Sequence, residues 1–125
     1  MSVIREFTLL RQIAIPDISD MLMGIEEAYT AFATTRDAAI VTSHRLILRD
    51  VQGLTGNKVE TFSVPYRSIE AWSTTSSGRL DFTTELHLWT RVGQVKLKLG
   101  RNIDAQLLDK ALSASVLRDT EPFED

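Results

Sequence analysis

The sequence predicts a mainly β fold, a small barrel of antiparallel strands closed at one end by a C-terminal helix. Three observations predict it. After Glu26, β-branched and aromatic residues rise, and turn signals recur about every eight to twelve residues. Over the last hairpin, apolar and polar residues alternate with a period of two. Beyond Asn102 the apolar spacing becomes helical.

Strands are expected at 26–35, 37–43, 45–51, 58–64, 69–76, 81–91 and 94–99. Arg36-Asp37 and Ser43-His44 mark tight turns, and Val92-Gly93 turns the last hairpin. Gly53, Gly56 and Asn57 punctuate a longer turn, where positive φ costs little. Pro65 cannot donate to a ladder, so Pro65-Tyr66-Arg67-Ser68 interrupts the sheet. In the last hairpin Phe82, Leu86 and Leu88 point one way, with Asp81, Glu85, His87 and Trp89 opposite; Val95, Leu97 and Leu99 oppose Gln94, Lys96 and Lys98. One apolar face means a half-buried antiparallel pair.

The two ends read as helical. Val3, Phe7, Leu10 and Ala14 fall on one helical face, which predicts a helix over 3–14 that ends at Pro16. Asp17 is placed to cap a second short helix, 18–23, closed by Gly24. At the C-terminus Ile103, Leu107, Leu108, Ala111, Leu112 and Val116 form an apolar stripe. Asn102 is its expected cap, Asp104 lies in its positive first turn, and Lys110 and Arg118 lie near its negative end. The expected organisation is an N-terminal helical extension over 1–25, a barrel with its capping helix over 26–118, and a loose acidic tail over 119–125.

Bulk properties exclude several function classes. The 125 residues suit one domain. No cysteine is present, which excludes a disulfide scaffold, a thiolate metal site and a cysteine nucleophile. A net charge of −3 gives no bulk attraction to nucleic acid. Arg5, Glu6 and Arg11 interrupt any leader-like apolar run, and no stretch approaches the roughly 20 apolar residues of a membrane span. A soluble, cytoplasmic protein is expected.

Several segments resemble one known family. They are Arg36-Asp37, Thr42 to Ile47, Asp50 to Glu60, Ser63 to Ile69 and Glu85 to Trp89, followed by the C-terminal helix. This ordered string, over roughly residues 20–118, resembles the bacterial pleckstrin-homology (PH) domain family. The resemblance implies seven strands in two nearly orthogonal sheets with a helix over one open corner. It also implies assembly into ring-like homo-oligomers, five-fold rings among them. The helix lacks the core tryptophan that most PH domains carry there.

Candidate sites follow from these faces. The wider superfamily grips phosphoinositides with several cations on its first hairpin loop; here that loop is Thr34-Thr35-Arg36-Asp37, too short and too neutral for a polyphosphate. Arg36 and Asp37 therefore read as turn or ion-pair residues. Lys96, Lys98 and Arg101 are a candidate anion contact, for which ordinary edge-protecting lysines are the plainer reading. Trp89 on a polar face, with Phe7 and Leu10 of the N-terminal segment, is the candidate interface. Trp72 reads as core. Tyr66 is expected to bury its ring and give its hydroxyl to backbone. His44 and His87 lack a nucleophile elbow, metal-ligand spacing or phosphate loop, and Gly53-Leu54-Thr55-Gly56 is a turn rather than such a loop. No catalytic residue, cofactor or metal is assigned. The expected role is a noncatalytic module that binds itself and a protein or peptide, with an anionic lipid surface as the alternative.

Overall fold

The computed structural model describes residues 3–52, 58–75 and 84–118. Its strands are β1 (Val3–Ile13), β2 (Ala28–Thr34), β3 (Asp37–Thr42), β4 (Arg45–Gln52), β5 (Lys58–Pro65), β6 (Ile69–Thr75), β7 (Thr84–Thr90) and β8 (Gly93–Leu99). A 3-10 turn, Tyr66–Ser68, joins β5 to β6, and helix α1 (Ala105–Arg118) follows β8. The seven expected strands lie close to their predicted positions. The expected turn at Gly53, Gly56 and Asn57, the start of strand 81–91 at Asp81 and Phe82, and the acidic tail fall outside the described residues.

The helix expected over 3–14 is instead β1, the eighth strand. Its spacing suits a helical face, but Val3, Ile4, Thr8 and Ile13 are β-branched, and two open strand edges offer its backbone a ladder. Tertiary pairing outweighs local periodicity here. The described part of the expected helical extension, residues 3–25, is therefore a strand followed by turns. The sheet order is β5-β4-β3-β2-β1-β8-β7-β6. Two antiparallel meanders, β2–β5 and β6–β8, are thus joined through β1 in one continuous ladder, where two separate sheets were expected. β1 runs parallel to β8 over Val3–Leu9, then antiparallel to β2 over Leu9–Ile13. It leaves one meander for the other at an irregularity around Leu10.

The sheet curls into a half-barrel. Arg5 on β1 reaches Glu60 on β5 at 2.8 Å, although three strands separate them in the ladder. Its guanidinium lies 4.8 Å from the centre of the Phe62 ring. The concave face buries Phe7, Leu9, Phe32, Leu46, Leu48, Val64, Leu86, Leu88, Leu97 and Leu99. Leu108, Leu112 and Val116 of α1 complete that core. Leu107, expected in the stripe, is 64% exposed. Trp72 packs against the core and donates its indole N–H to Asp109 at 3.1 Å, which ties α1 to β6.

Caps differ from expectation at two places. Asp104, not Asn102, caps α1: its Oδ1 accepts from the amides of Gln106 and Leu107 at 3.1 and 3.2 Å. The Ile103 amide bonds Gly100 oxygen, so Asn102 sits in the preceding turn. Near the other end, 18–23 forms turns rather than a helix. Asp17 accepts the Ser19 hydroxyl at 2.9 Å and its amide at 3.3 Å, closing a local turn that competes with a helix. Those two bonds hold the Asp17 carboxyl below its ordinary range.

Residues 14–27 strap across the convex face of β2–β4. Ile18 is buried against Ala31, Ala38, Ile40 and Ile47, with Met21 and Leu22 beside it. Both faces of these strands are therefore covered, which is why Ala38 to Val41 and Leu46 to Leu48 are unbroken apolar runs. A buried ion pair fastens the strap. Glu26 accepts from the Thr42 hydroxyl at 2.6 Å, from Arg45 Nε at 2.9 Å and Nη2 at 3.1 Å, and from the Met23 amide at 3.2 Å. Arg45 also donates to Met21 oxygen and the Ser63 hydroxyl. Burial by itself would raise the Glu26 carboxyl; the Arg45, Thr42 and Met23 donors overcome it and lower it from 4.5 to about 2.

Two predictions follow from this packing. The folded carboxyl of Glu26 titrates below the unfolded one, so the folded state binds fewer protons between the two values. Its stabilisation is complete above about pH 4.5 and is lost as pH falls toward about 2. Chemical denaturation at pH 7 should show Glu26→Gln less stable by roughly 3 kcal/mol, with the gap narrowing as pH drops to 3. A gap independent of pH would contradict the assignment. Gly100 lies where a Cβ would stand 3.2 Å from the carbonyl oxygens of both Leu9 and Leu10. Gly100→Val should therefore destabilise by at least about 2 kcal/mol in the same assay, because it wedges β1 from the start of the α1 connection.

Candidate functional site

Among the described residues no strap covers the convex face of β6–β8, and three nominated residues, Trp89, Lys96 and Lys98, stand on it. Strand alternation sends Glu85, His87 and Trp89 outward, opposite buried Leu86 and Leu88. Register sets His87 across from Lys96, and Trp89 between Gln94 on β8 and Ala71 on β6. The Trp89 and His87 rings stack with centroids 5.8 Å apart and planes inclined by 23°. His87 lies between two partners, Glu85 Oε1 at 3.1 Å from Nε2 and Gln94 Nε2 at 2.6 Å from Nδ1. The neutral tautomer with its proton on Nε2 satisfies both. The His87 bond holds the Glu85 carboxyl below its ordinary range; partial burial opposes this and Lys96 reinforces it. The result is a braced aromatic shelf with a polar surround.

Two of the three candidate anion-contact residues are paired with carboxylates. Lys96 faces Glu85 at 3.6 Å and Lys98 faces Glu6 of β1 at 3.1 Å. Arg101 lies beyond β8 in the turn that leads to α1. Each lysine thus has a carboxylate beside it.

The hairpin loop of β2 and β3 is likewise internally paired. The Thr34 hydroxyl accepts the amides of Arg36 and Asp37 at 3.1 and 2.9 Å, closing the turn. Arg36 pairs with buried Asp50 at 2.8 Å and lies over the Phe7 ring; Asp37 pairs with Arg49 at 2.7 Å. These are the turn and ion-pair roles expected of Arg36 and Asp37. The neighbouring cleft, about 280 Å³, holds Arg5 and Arg36 against Glu6, Asp50 and Glu60. Its carboxylates outnumber its guanidiniums, which disfavours a polyphosphate.

Of the three nominated interface residues, Phe7 is withdrawn: it is 1% exposed, a core residue on the concave side of β1. The helical spacing grouped it with Leu10, but a strand sends residues of opposite parity to opposite faces. Leu10 is 38% exposed at the point where β1 changes partner. Trp89 is half-buried on the outer shelf.

Tyr66 is fully buried and donates its hydroxyl to Thr42 oxygen at 2.7 Å, as expected. The Glu26–Arg45 pair escaped sequence reading, because nothing local marks a glutamate at a strand entrance as buried. The two histidines lie apart: His44 Nδ1 bonds the Ser43 hydroxyl at 2.8 Å, far along the chain from His87. Among the described residues no group of three or more His, Asp or Glu could hold a metal ion, and no helix is long and apolar enough to cross a membrane.

Comparison with known proteins agrees with this architecture. A family model described as "Bacterial PH domain" matches residues 7–116. The chain is 41% identical over 73 residues to the uncharacterized protein YjqA of Bacillus subtilis (strain 168), a match spanning 58% of each chain. A DUF1696 family protein with a pleckstrin-homology domain from Shewanella loihica PV-4 superposes with a TM-score of 0.79 at 27% identity, over 85% of this chain and 96% of the other. A pleckstrin-homology domain from Shewanella amazonensis SB2B gives 0.66 at 33% identity, over 80% and 82%. A PH-domain protein from Exiguobacterium sibiricum 255-15 shares the fold at 17% identity, with a TM-score of 0.61. The half-barrel, its plugging helix and the family match together place the chain: it belongs to the bacterial PH domain family.

Proposed function

We propose that this PH domain is a noncatalytic assembly module that acts by binding further copies of itself and a protein or peptide partner. One observation carries the reading. Six of the eleven large apolar side chains that stand exposed among the described residues fall in the first 29 residues: Val3, Leu10, Ile15, Met23, Ile25 and Tyr29. Ile25 is 78% exposed beside the Glu26 clasp, so rigidly held backbone presents it to solvent. Apolar area returned to water costs about 25 cal/mol per Å², and a second protein surface recovers it. The Trp89 shelf supplies an aromatic contact of the kind that dominates binding interfaces.

On the concave side core side chains pack against Leu108, Leu112 and Val116 of α1. The anionic-lipid alternative gains nothing from Lys96 and Lys98, whose charges are matched by Glu85 and Glu6.

Light scattering should return a mass several times 14 kDa. Deleting residues 1–15 would remove a central strand, so point variants are the fair test. Leu10→Ser with Ile25→Ser should lower the mass, and Trp89→Ala should lower it or abolish partner capture, while circular dichroism stays unchanged. A monomer at working concentration would count against self-assembly. Salt-sensitive cosedimentation with anionic vesicles would favour the lipid alternative instead.

A further inference from the structure

A groove of about 630 Å³ lies where the strap meets the end of β5, lined by Met23, His44, Arg45, Ser63, Pro65 and Arg67. Its walls combine apolar and cationic character. Met23 is 51% exposed, and Pro65 offers a ring with no N–H. Arg45 has its charge matched by Glu26 and its donors engaged by Glu26, Ser63 and Met21. Arg67 is different: it is exposed on the 3-10 turn, and among the described residues no carboxylate pairs with it. Among the described residues no carboxylate lines the groove, so its surface favours an anion that also carries an apolar group.

We propose that this groove docks an acidic segment bearing one aromatic residue, and that its occupant is this chain's own Asp119–Asp125. The direction of α1 brings the segment there. Asp109 bonds Trp72 and Thr74, whereas Leu112 and Val116 share the core with Tyr66 and Ile69. The helix therefore runs from the Thr74 end of β6 toward the 3-10 turn, and packs on it. It ends at Arg118, past the 3-10 turn whose Arg67 also lines the groove. The seven residues beyond it hold Asp119, Glu121, Glu124 and Asp125 around Phe123. Extended, seven residues reach about 23 Å. Pro122 biases the residue before it toward extended backbone. Phe123 matches the Met23–Pro65 wall, and the carboxylates match Arg67. Tethering supplies a local concentration on the order of millimolar, so weak contacts suffice. The docked segment excludes other acidic peptides from the groove.

Nuclear magnetic resonance of the full chain and of a chain ending at Arg118 tests this, read at the Met23 methyl and the His44 ring. Truncation should shift both signals. A synthetic peptide of sequence Asp-Thr-Glu-Pro-Phe-Glu-Asp should return them toward the full-chain positions. The full chain should bind that peptide at least about tenfold more weakly than the truncated chain. Arg67→Glu and Phe123→Ala, each in the full chain, should reproduce the truncated spectrum. Identical Met23 and His44 signals with and without the segment would overturn the proposal. Shifts that grow with protein concentration would overturn it too, by making the occupant a second copy.

Discussion

The fold depends on β1 pairing with two partners at once. The strands on either side of it form two local meanders, each built from antiparallel pairs between sequence neighbours. Their side chains share one core, but in the strand order no strand of one meander pairs with a strand of the other. β1 joins them by lying parallel to β8 and then crossing to β2, and Phe7 and Leu9 go into the core just before that crossing. A parallel pair forms only between segments distant in sequence, so closure awaits both ends of the chain. Gly100 bonds Leu9 oxygen at 2.8 Å, which brings the α1 connection to the same crossing point.

Once β1 is in place, the two meanders face different surroundings. The strap seals the convex side of β2–β4, and the Glu26–Arg45 pair with its hydrogen bonds fixes that seal. Every strong donor and acceptor in that cluster has a partner, as buried charge requires. On the convex side of β6–β8 half-buried Glu85, His87 and Trp89 stand outward, the Trp89–His87 stack braced by Glu85 and Gln94. The β2–β4 half of the sheet is thus covered on both faces. The fold class alone does not name what is recognised.

The sequence exposes the parts of this design that rest on local physics. Period-two alternation places Leu86, Leu88, Val95, Leu97 and Leu99 in the core, and the change to helical spacing places Leu108, Leu112 and Val116 on the plug. Tyr66 after Pro65 announces a corner, and the hydroxyl bond to Thr42 makes one. What stays hidden is set by distant partners. β1 looks helical because its pairing edges lie about 20 residues downstream and at the far end of the chain. Glu26 and Arg45 are nineteen residues apart, and no local rule couples them. The candidate site divides the same way: outward Trp89 is readable from alternation, whereas the matching of Lys96 by Glu85 and Lys98 by Glu6 needs the strand register.

Native-state hydrogen exchange of the β1 amides tests the central claim most directly. If β1 joins the two meanders, the protected amides between Phe7 and Ile13 exchange only through global unfolding, with the same free energy and denaturant dependence as those of Val41 and Leu97. Exchange of this segment at the rate of a frayed terminus, with β3 and β8 still protected, would show that the meanders hold together without it.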